Sequence, residues 1–322
     1  VDVSAISDQS IDALVVAGAA GVSAGGVGVS VAGAGAVAIN TITTDINASI
    51  EYDNAVIDPS WDIHSGSVTI EAEDTSRISA VTGAAALTAA FGGVGVGVSI
   101  GFSGAYNEIS NEVSASITDA DVTTTNGAGA ISVTAVEGAT INALTTAVSL
   151  AVGIGGVGVA VSGAGAMATN VILTTTKAYV SDSTLVSAGG VSIEASDTST
   201  INAIVLASTA AIAGGAVGVG VSVGGAFATN LIGTADNPAG AQAYVTDSTI
   251  TATGAYTQSA TSKQTIRSAV LATSVAIAPG GVGVAVSGSG VLAINLIIAD
   301  IKAFIEGSTI TAGSVDITAD DT

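Results

Sequence analysis

The chain has no cysteine, which excludes disulfides, thiol catalysis and Cys-based metal sites together. It is nearly as poor in positive charge. Arg77, Lys177, Lys263, Arg267 and Lys302 stand against 26 carboxylates, and the net charge is -21. Nucleic acid is therefore not a partner, because its phosphates need basic contacts. Aromatic residues make up only 3% and charged residues only 10%, where about a quarter charged is usual. Glycine fills much of the space, with 42 of 322 residues, alongside Ala, Val and Thr. An acidic balance on so apolar a body suits a secreted assembly that must stay soluble, and it attracts divalent cations.

What is abundant is repetition. "GGVGVSVAGAGAVAIN", "GGVGVGVSIGFSGAYN", "GGVGVAVSGAGAMATN", "GGAVGVGVSVGGAFATN" and "GGVGVAVSGSGVLAIN" are five versions of one stretch. They divide the chain into repeats at 1–67, 68–130, 131–190, 191–255 and 256–314, with the start of a sixth at 315–322. The chain is expected to be a window on a longer array, one continuous solenoid. The landmark glycines are Gly25, Gly92, Gly155, Gly215 and Gly280. An Ile lies 14 residues before each (Ile11, Ile78, Ile141, Ile201, Ile266) and an Asn 15 after (Asn40, Asn107, Asn170, Asn230, Asn295). Length varies only elsewhere, as in the "DNPAG" insertion of the fourth repeat. Parts of fixed length pack against copies of themselves, and parts of variable length are surface loops.

Charge follows the same division. Residues 13–44, 78–107, 138–176, 198–235 and 268–299 contain no Asp, Glu, Lys or Arg. Each repeat thus has a dry half and a wet half. Dry runs of this length could suggest membrane helices. Yet Val217, Val219, Val221 and Val223 alternate with Gly218, Gly220, Ser222 and Gly224, a period of two. Gly and Val are poor helix formers, and few basic residues flank the runs to orient them in a bilayer. Membrane insertion is not expected. The wet half also alternates, with turns at Asp182-Ser183 and Gly189-Gly190. Two long dry strands joined at the Gly pair, plus two or more short wet ones, are predicted per repeat.

The fold class is all-β: a parallel β-solenoid of about five stacked repeats. Self-similarity recurs near 63 residues and not near 20, which favours one large coil per repeat. So long a coil must flatten into layers, because an open one would enclose a void that small side chains cannot fill. The Gly/Ser/Ala face then allows close approach of sheets, and the Val face is expected to meet another layer. The alternative is three ordinary β-helix turns per repeat.

Stacking predicts columns. The Asn column would form an amide ladder, or serve bends that tolerate a left-handed residue. Tyr179, Tyr244 and Phe304 form an aromatic column, for packing or for stacking on a carbohydrate ring. Asp119, Asp182 and Asp247 are equivalent, with Asp53 and Glu306 near that point in the outer repeats. Calcium could bridge these five, or they could be solvated turn carboxylates; the latter is favoured, because no calcium-loop motif is present. Asp74, Glu137 and Asp197 also align, with Ser7 and Ser262 in the outer repeats, and read as a second exposed edge.

No enzyme is expected. Catalysis on a solenoid needs a one-off cluster of acids and bases, and here everything recurs. The lone His64 reads as part of a solvated loop, and the Gly strings lack a P-loop or dinucleotide-binding pattern.

"GGVGVxVxGxGAxAxN" followed by "AYVxDSTLxxAGGVSIEASDTSTINA" resembles the repeat region of giant bacterial surface proteins. These are the leukotoxin-like filamentous adhesins and, more loosely, the filamentous-haemagglutinin-type β-solenoids. The resemblance spans the chain and implies an extracellular, non-enzymatic filament or adhesin stalk at the bacterial cell surface. Its partners would be further repeats of a longer chain, or copies of itself meeting end to end or laterally. Two other classes remain open: a calcium-dependent adhesive module and a membrane-active toxin segment.

Overall fold

The computed structural model describes residues 1–52, 63–125 and 129–322, and among them every regular element is a β-strand. No helix is long and apolar enough to cross a membrane, which says nothing of strands. All strand pairing is parallel, and each strand pairs with its equivalents one repeat away. Ile78 lies beside Ile141, and Ile141 beside Ile201. One repeat is therefore one coil. Three small turns per repeat do not form, because the nearest ladder partner is a whole repeat distant.

Each inner coil has three parts. A short strand such as Ile131–Glu137 or Val191–Asp197 enters. A long strand follows: Arg77–Thr118 and Thr140–Ser181 each run 42 residues. A four-residue strand such as Thr184–Ser187 closes the coil. The expected pair of long strands is thus one continuous ladder, extending through the Gly pair into the Ala178-Tyr179 segment. Strands this long are not straight. The ladder folds back at the Gly pair into two facing arms. Ser103 Oγ donates to Thr82 Oγ1 at 3.0 Å, and Ser222 Oγ to Thr209 Oγ1 at 2.7 Å, each across the fold.

Glycine is required at the bend by close backbone approach. A Cβ on Gly215, whose φ is +150°, would sit 1.8 Å from the Gly155 carbonyl oxygen of the preceding coil. Along the arms the same holds for space alone: a Cβ on Gly158 would lie 2.5 Å from the carbonyl oxygens of both Gly153 and Gly214. The two arms form a thin fin with an interior of alanine, such as Ala151, Ala160, Ala211 and Ala213. At the base of the fin, Ile78, Ile141 and Ile201 pack against Ile109, Ile172 and Ile232 and seal it from the body. The body has a larger core of Ile and Val, including Ile70, Ile117, Ile131, Val180 and Ile193.

One expectation is corrected. The Val face meets no second layer of its own chain: Val157 and Val223 are 38% and 57% exposed. A coil has only two arms, and both use their small-residue faces against each other. The "DNPAG" insertion behaves as a loop. After it, Ala243 returns to register between Ala178 and Ala303.

Candidate functional site: stacked columns and an exposed apolar face

The five asparagines form a single line. Nδ2 of Asn40, Asn107, Asn170 and Asn230 each donates to Oδ1 of the next, at 2.7, 2.8, 2.8 and 2.7 Å, ending on Asn295. Asn107, Asn170 and Asn230 are fully buried. Each inner amide spends one donor and one acceptor along the stack. None has a left-handed backbone, so the bend reading does not apply. In a second amide column, Asn202 Nδ2 donates to Asn142 Oδ1 at 3.0 Å.

The landmark glycines pair as Gly25 with Gly92 and Gly92 with Gly155, and as Gly215 with Gly280, but the ladder register skips Gly155–Gly215, where Gly215 has φ +150°. Tyr179 and Tyr244 lie with ring centroids 4.8 Å apart, and Tyr244 and Phe304 5.1 Å apart, each pair tilted by 4°. The rings cover one another, so their faces within the column are taken. Burial, then the neighbouring Tyr179 and Glu112, pushes the Tyr244 hydroxyl up to about 12.

Asp119, Asp182 and Asp247 are exposed and have φ of 53°, 50° and 47°. The left-handed position explains the residue type, because Asp tolerates it where most side chains do not. Glu306 is not in this column: it pairs with Thr246, and Gly307, at φ 61°, takes the aspartate's place. Asp53 lies outside the described residues. Among the described residues, no group of three or more His, Cys, Asp or Glu side chains is arranged to hold a metal ion. The residue after the turn does the linking. The Ala120 N–H donates to Ser183 Oγ at 3.1 Å, the Ser183 N–H to Ser248 Oγ at 3.0 Å, and the Ser248 N–H to Ser308 Oγ at 3.0 Å.

The second acidic set is not an exposed edge. Asp74, Glu137 and Asp197 are fully buried and pair in register between Ser7 and Ser262. They sit at the corner where the short strand enters the fin, and each accepts the backbone N–H two residues on: Ser76 at 3.0 Å, Ala139 at 2.9 Å and Ser199 at 2.9 Å. This is an Asx-type turn with a missed signature, Asp-x-Ser at 74–76 and 197–199. Asp74 also accepts from Asn111 Nδ2 at 2.6 Å, and Asp197 from Gln264 Nε2 at 2.6 Å. Glu137 has no such support, and its Oε2 has no partner. Burial, then the flanking charges of Asp74 and Asp197, pushes its carboxyl up to about 9. A proton on Oε2 turns that orphaned acceptor into a donor toward Asp74. His64 belongs to a short strand, Ile63–Ser65, rather than to a loop, and lies beside Thr123 in the ladder.

The exposed outer faces of the fin were the least expected feature. On the second arm, Val157, Val159 and Val161 of the middle coil stand in three columns that are Val in all five coils. Nearer the body, Phe102 lies over Gly104 and Gly165, whose Cβ positions would be 3.5 and 3.4 Å from its ring. Aromatic rings laid over glycines keep this face smooth.

No protein-family model and no curated protein matches the chain. A solved structure of a TibC-catalysed, hyper-glycosylated fragment of TibA is 17% identical over 78% of this chain and 100% of that one. Its TM-score is 0.05, so too little of the two chains superposes for fold or function to follow from it.

Proposed function

We propose that this chain is a structural, non-catalytic repeat segment of an extracellular bacterial filament or giant adhesin, displayed at the cell surface. The observation that supports it best is the continuity of the Asn line, hydrogen-bonded from Asn40 to Asn295 through all five coils. A column that runs the length of the chain serves the stack rather than any one point on it. The side-chain chemistry repeats coil by coil, as suits a spacer and not a one-off reaction centre. Charge is kept to the body, where it keeps a long stack soluble.

Immunogold labelling of intact producing cells tests this reading. An antibody against the purified chain should decorate thin fibres outside unpermeabilised cells, with a ~4.8 Å repeat along the axis in averaged images. Labelling that appears only after permeabilisation would overturn it.

A further inference from the structure

The outer face of the second arm is an unpartnered sheet face, and we infer that it docks against the same face of a second copy of this chain. The inference deepens the filament reading, and rests on it, by naming the lateral partner. Three observations carry it. The first is regularity. Val157, Val159 and Val161 continue as valine through all five coils, so the part of the face next to the Gly bend is a lattice of identical β-branched side chains on an in-register parallel sheet, while the columns nearer the body, such as Gly165 with Phe102 and Met167 with Phe227, are mixed but uncharged. Such a lattice is complementary to itself, because rows of one copy fit between rows of the other. A two-fold axis in the contact plane matches every row to a row.

The second is area. The arm from Val157 to Thr169 is about 40 Å long and five coils are about 24 Å deep, which gives a face of about 1,000 Å². A stable dimer needs about 800 Å² per partner. The third is charge. No Asp, Glu, Lys or Arg occurs on the charge-free stretches that form the fin, although the chain carries -21 overall. Two copies meeting through the fins bring their neutral parts together and hold their acidic bodies apart. The opposite outer face lacks this regularity: Leu144 and Val148 of the middle coil are flanked by Thr146, and Ala85 and Ser208 occupy the Val148 column. It serves as the control.

Sedimentation velocity over a hundredfold range of concentration reads the result. The unaltered chain should be a dimer. The double variant V159K/V219K changes two outward side chains and should be monomeric, with an unchanged far-ultraviolet spectrum. The double variant L144K/V148K on the other face should remain a dimer. Val159→Cys gives a cysteine-free chain one thiol, which copper phenanthroline should oxidise to a disulfide between two copies. A monomer at every concentration overturns the inference, as does a dimer indifferent to V159K/V219K or one broken instead by L144K/V148K. Co-sedimentation with phosphatidylcholine vesicles in place of self-association would assign the face to lipid and also overturn it. Surface fibres one solenoid wide would refute the lateral contact and leave the filament reading standing, whereas dimers made by a chain that labels only inside cells would do the reverse.

Discussion

In the body of each coil, Ile131, Val133 and Ala135 point into a core of large side chains while Ser132 and Thr134 point outward. In the fin the order is inverted. Ala160, Ser162 and Ala164 point inward, and Val157, Val159 and Val161 point out. One backbone ladder runs through both. The body is held by the volume of its core, the fin by the absence of volume in its interior. An apolar residue is therefore placed by the space between sheets rather than by hydrophobicity alone. Where two arms lie this close, the interior is mostly Gly, Ala and Ser, with Thr82, Thr145, Thr209 and Val205 among its largest members, and most of the valine is left on the outside.

The sharpest way to break that contrast is to add volume inside the fin. Gly158→Leu pushes side-chain atoms into the carbonyls of Gly153 and Gly214 and should cost about 3 kcal/mol or separate the arms. Ala235→Leu, in the exposed fourth-repeat loop, should change stability by less than about 0.5 kcal/mol. Urea unfolding of both variants decides the matter, and equal tolerance would mean that the arms are not close-packed.

The next test concerns the hydrogen-bonded line where the second arm returns to the body. Asn170→Ala leaves the Asn107 amide without its acceptor and Asn230 Oδ1 without its donor, both buried. It should cost about 3 kcal/mol, with two polar groups orphaned. Ser132→Ala, on the outer face of the body, should cost almost nothing. If Asn170→Ala were equally mild in thermal unfolding, the line would be a consequence of stacking and not a support for it.

Glu137 marks the place where the body departs from its own rule, with a buried acid in place of an apolar side chain. Its folded value of about 9 lies above the ordinary 4.5, so between those values the folded chain keeps a proton that the unfolded chain releases. Stability from this group is then fully present below about pH 4.5 and is lost as pH rises toward 9. Each pH unit in that window costs at most about 1.4 kcal/mol. Glu137→Gln keeps an oxygen for the Ala139 N–H and supplies a donor toward Asp74, so it should flatten the slope and add about 2 kcal/mol near pH 8. Urea midpoints from pH 5 to 9 measure this, and a slope that persists in the variant would place the proton elsewhere.

The coil was legible because stacking of like on like leaves a fixed distance from Ile through Gly to Asn, and only a solenoid needs that distance held. The close inner face was legible from Gly alternation. The exposure of valine was not, because period-two alternation shows that two faces differ and not which one is inside. The burial of Asp74, Glu137 and Asp197 was hidden for a related reason. A carboxylate reads as surface unless its partners are known, and Asn111 and Gln264 lie 37 and 67 residues away from the acids they serve.

The smallest effects belong to the turn aspartates, where two explanations of one column give opposite outcomes. Asp182 has a φ of 50°, and its carboxylate is exposed between Asp119 and Asp247. If the backbone selects the residue, charge is incidental. Asp182→Asn, which tolerates the same conformation, should then be neutral, while Asp182→Val should cost about 1–2 kcal/mol. Gly307 already fills the equivalent place in the last coil without any carboxylate, as the backbone explanation requires. If a bridging cation selects the residue, Asp182→Asn should lower the melting temperature as much as Asp182→Val, and a chelator should lower that of the unaltered chain. Removing one of three like charges at this spacing should otherwise relieve repulsion slightly. A small rise in melting temperature for Asp182→Asn at low salt, vanishing at high salt, is therefore the expected signature of an unbridged column.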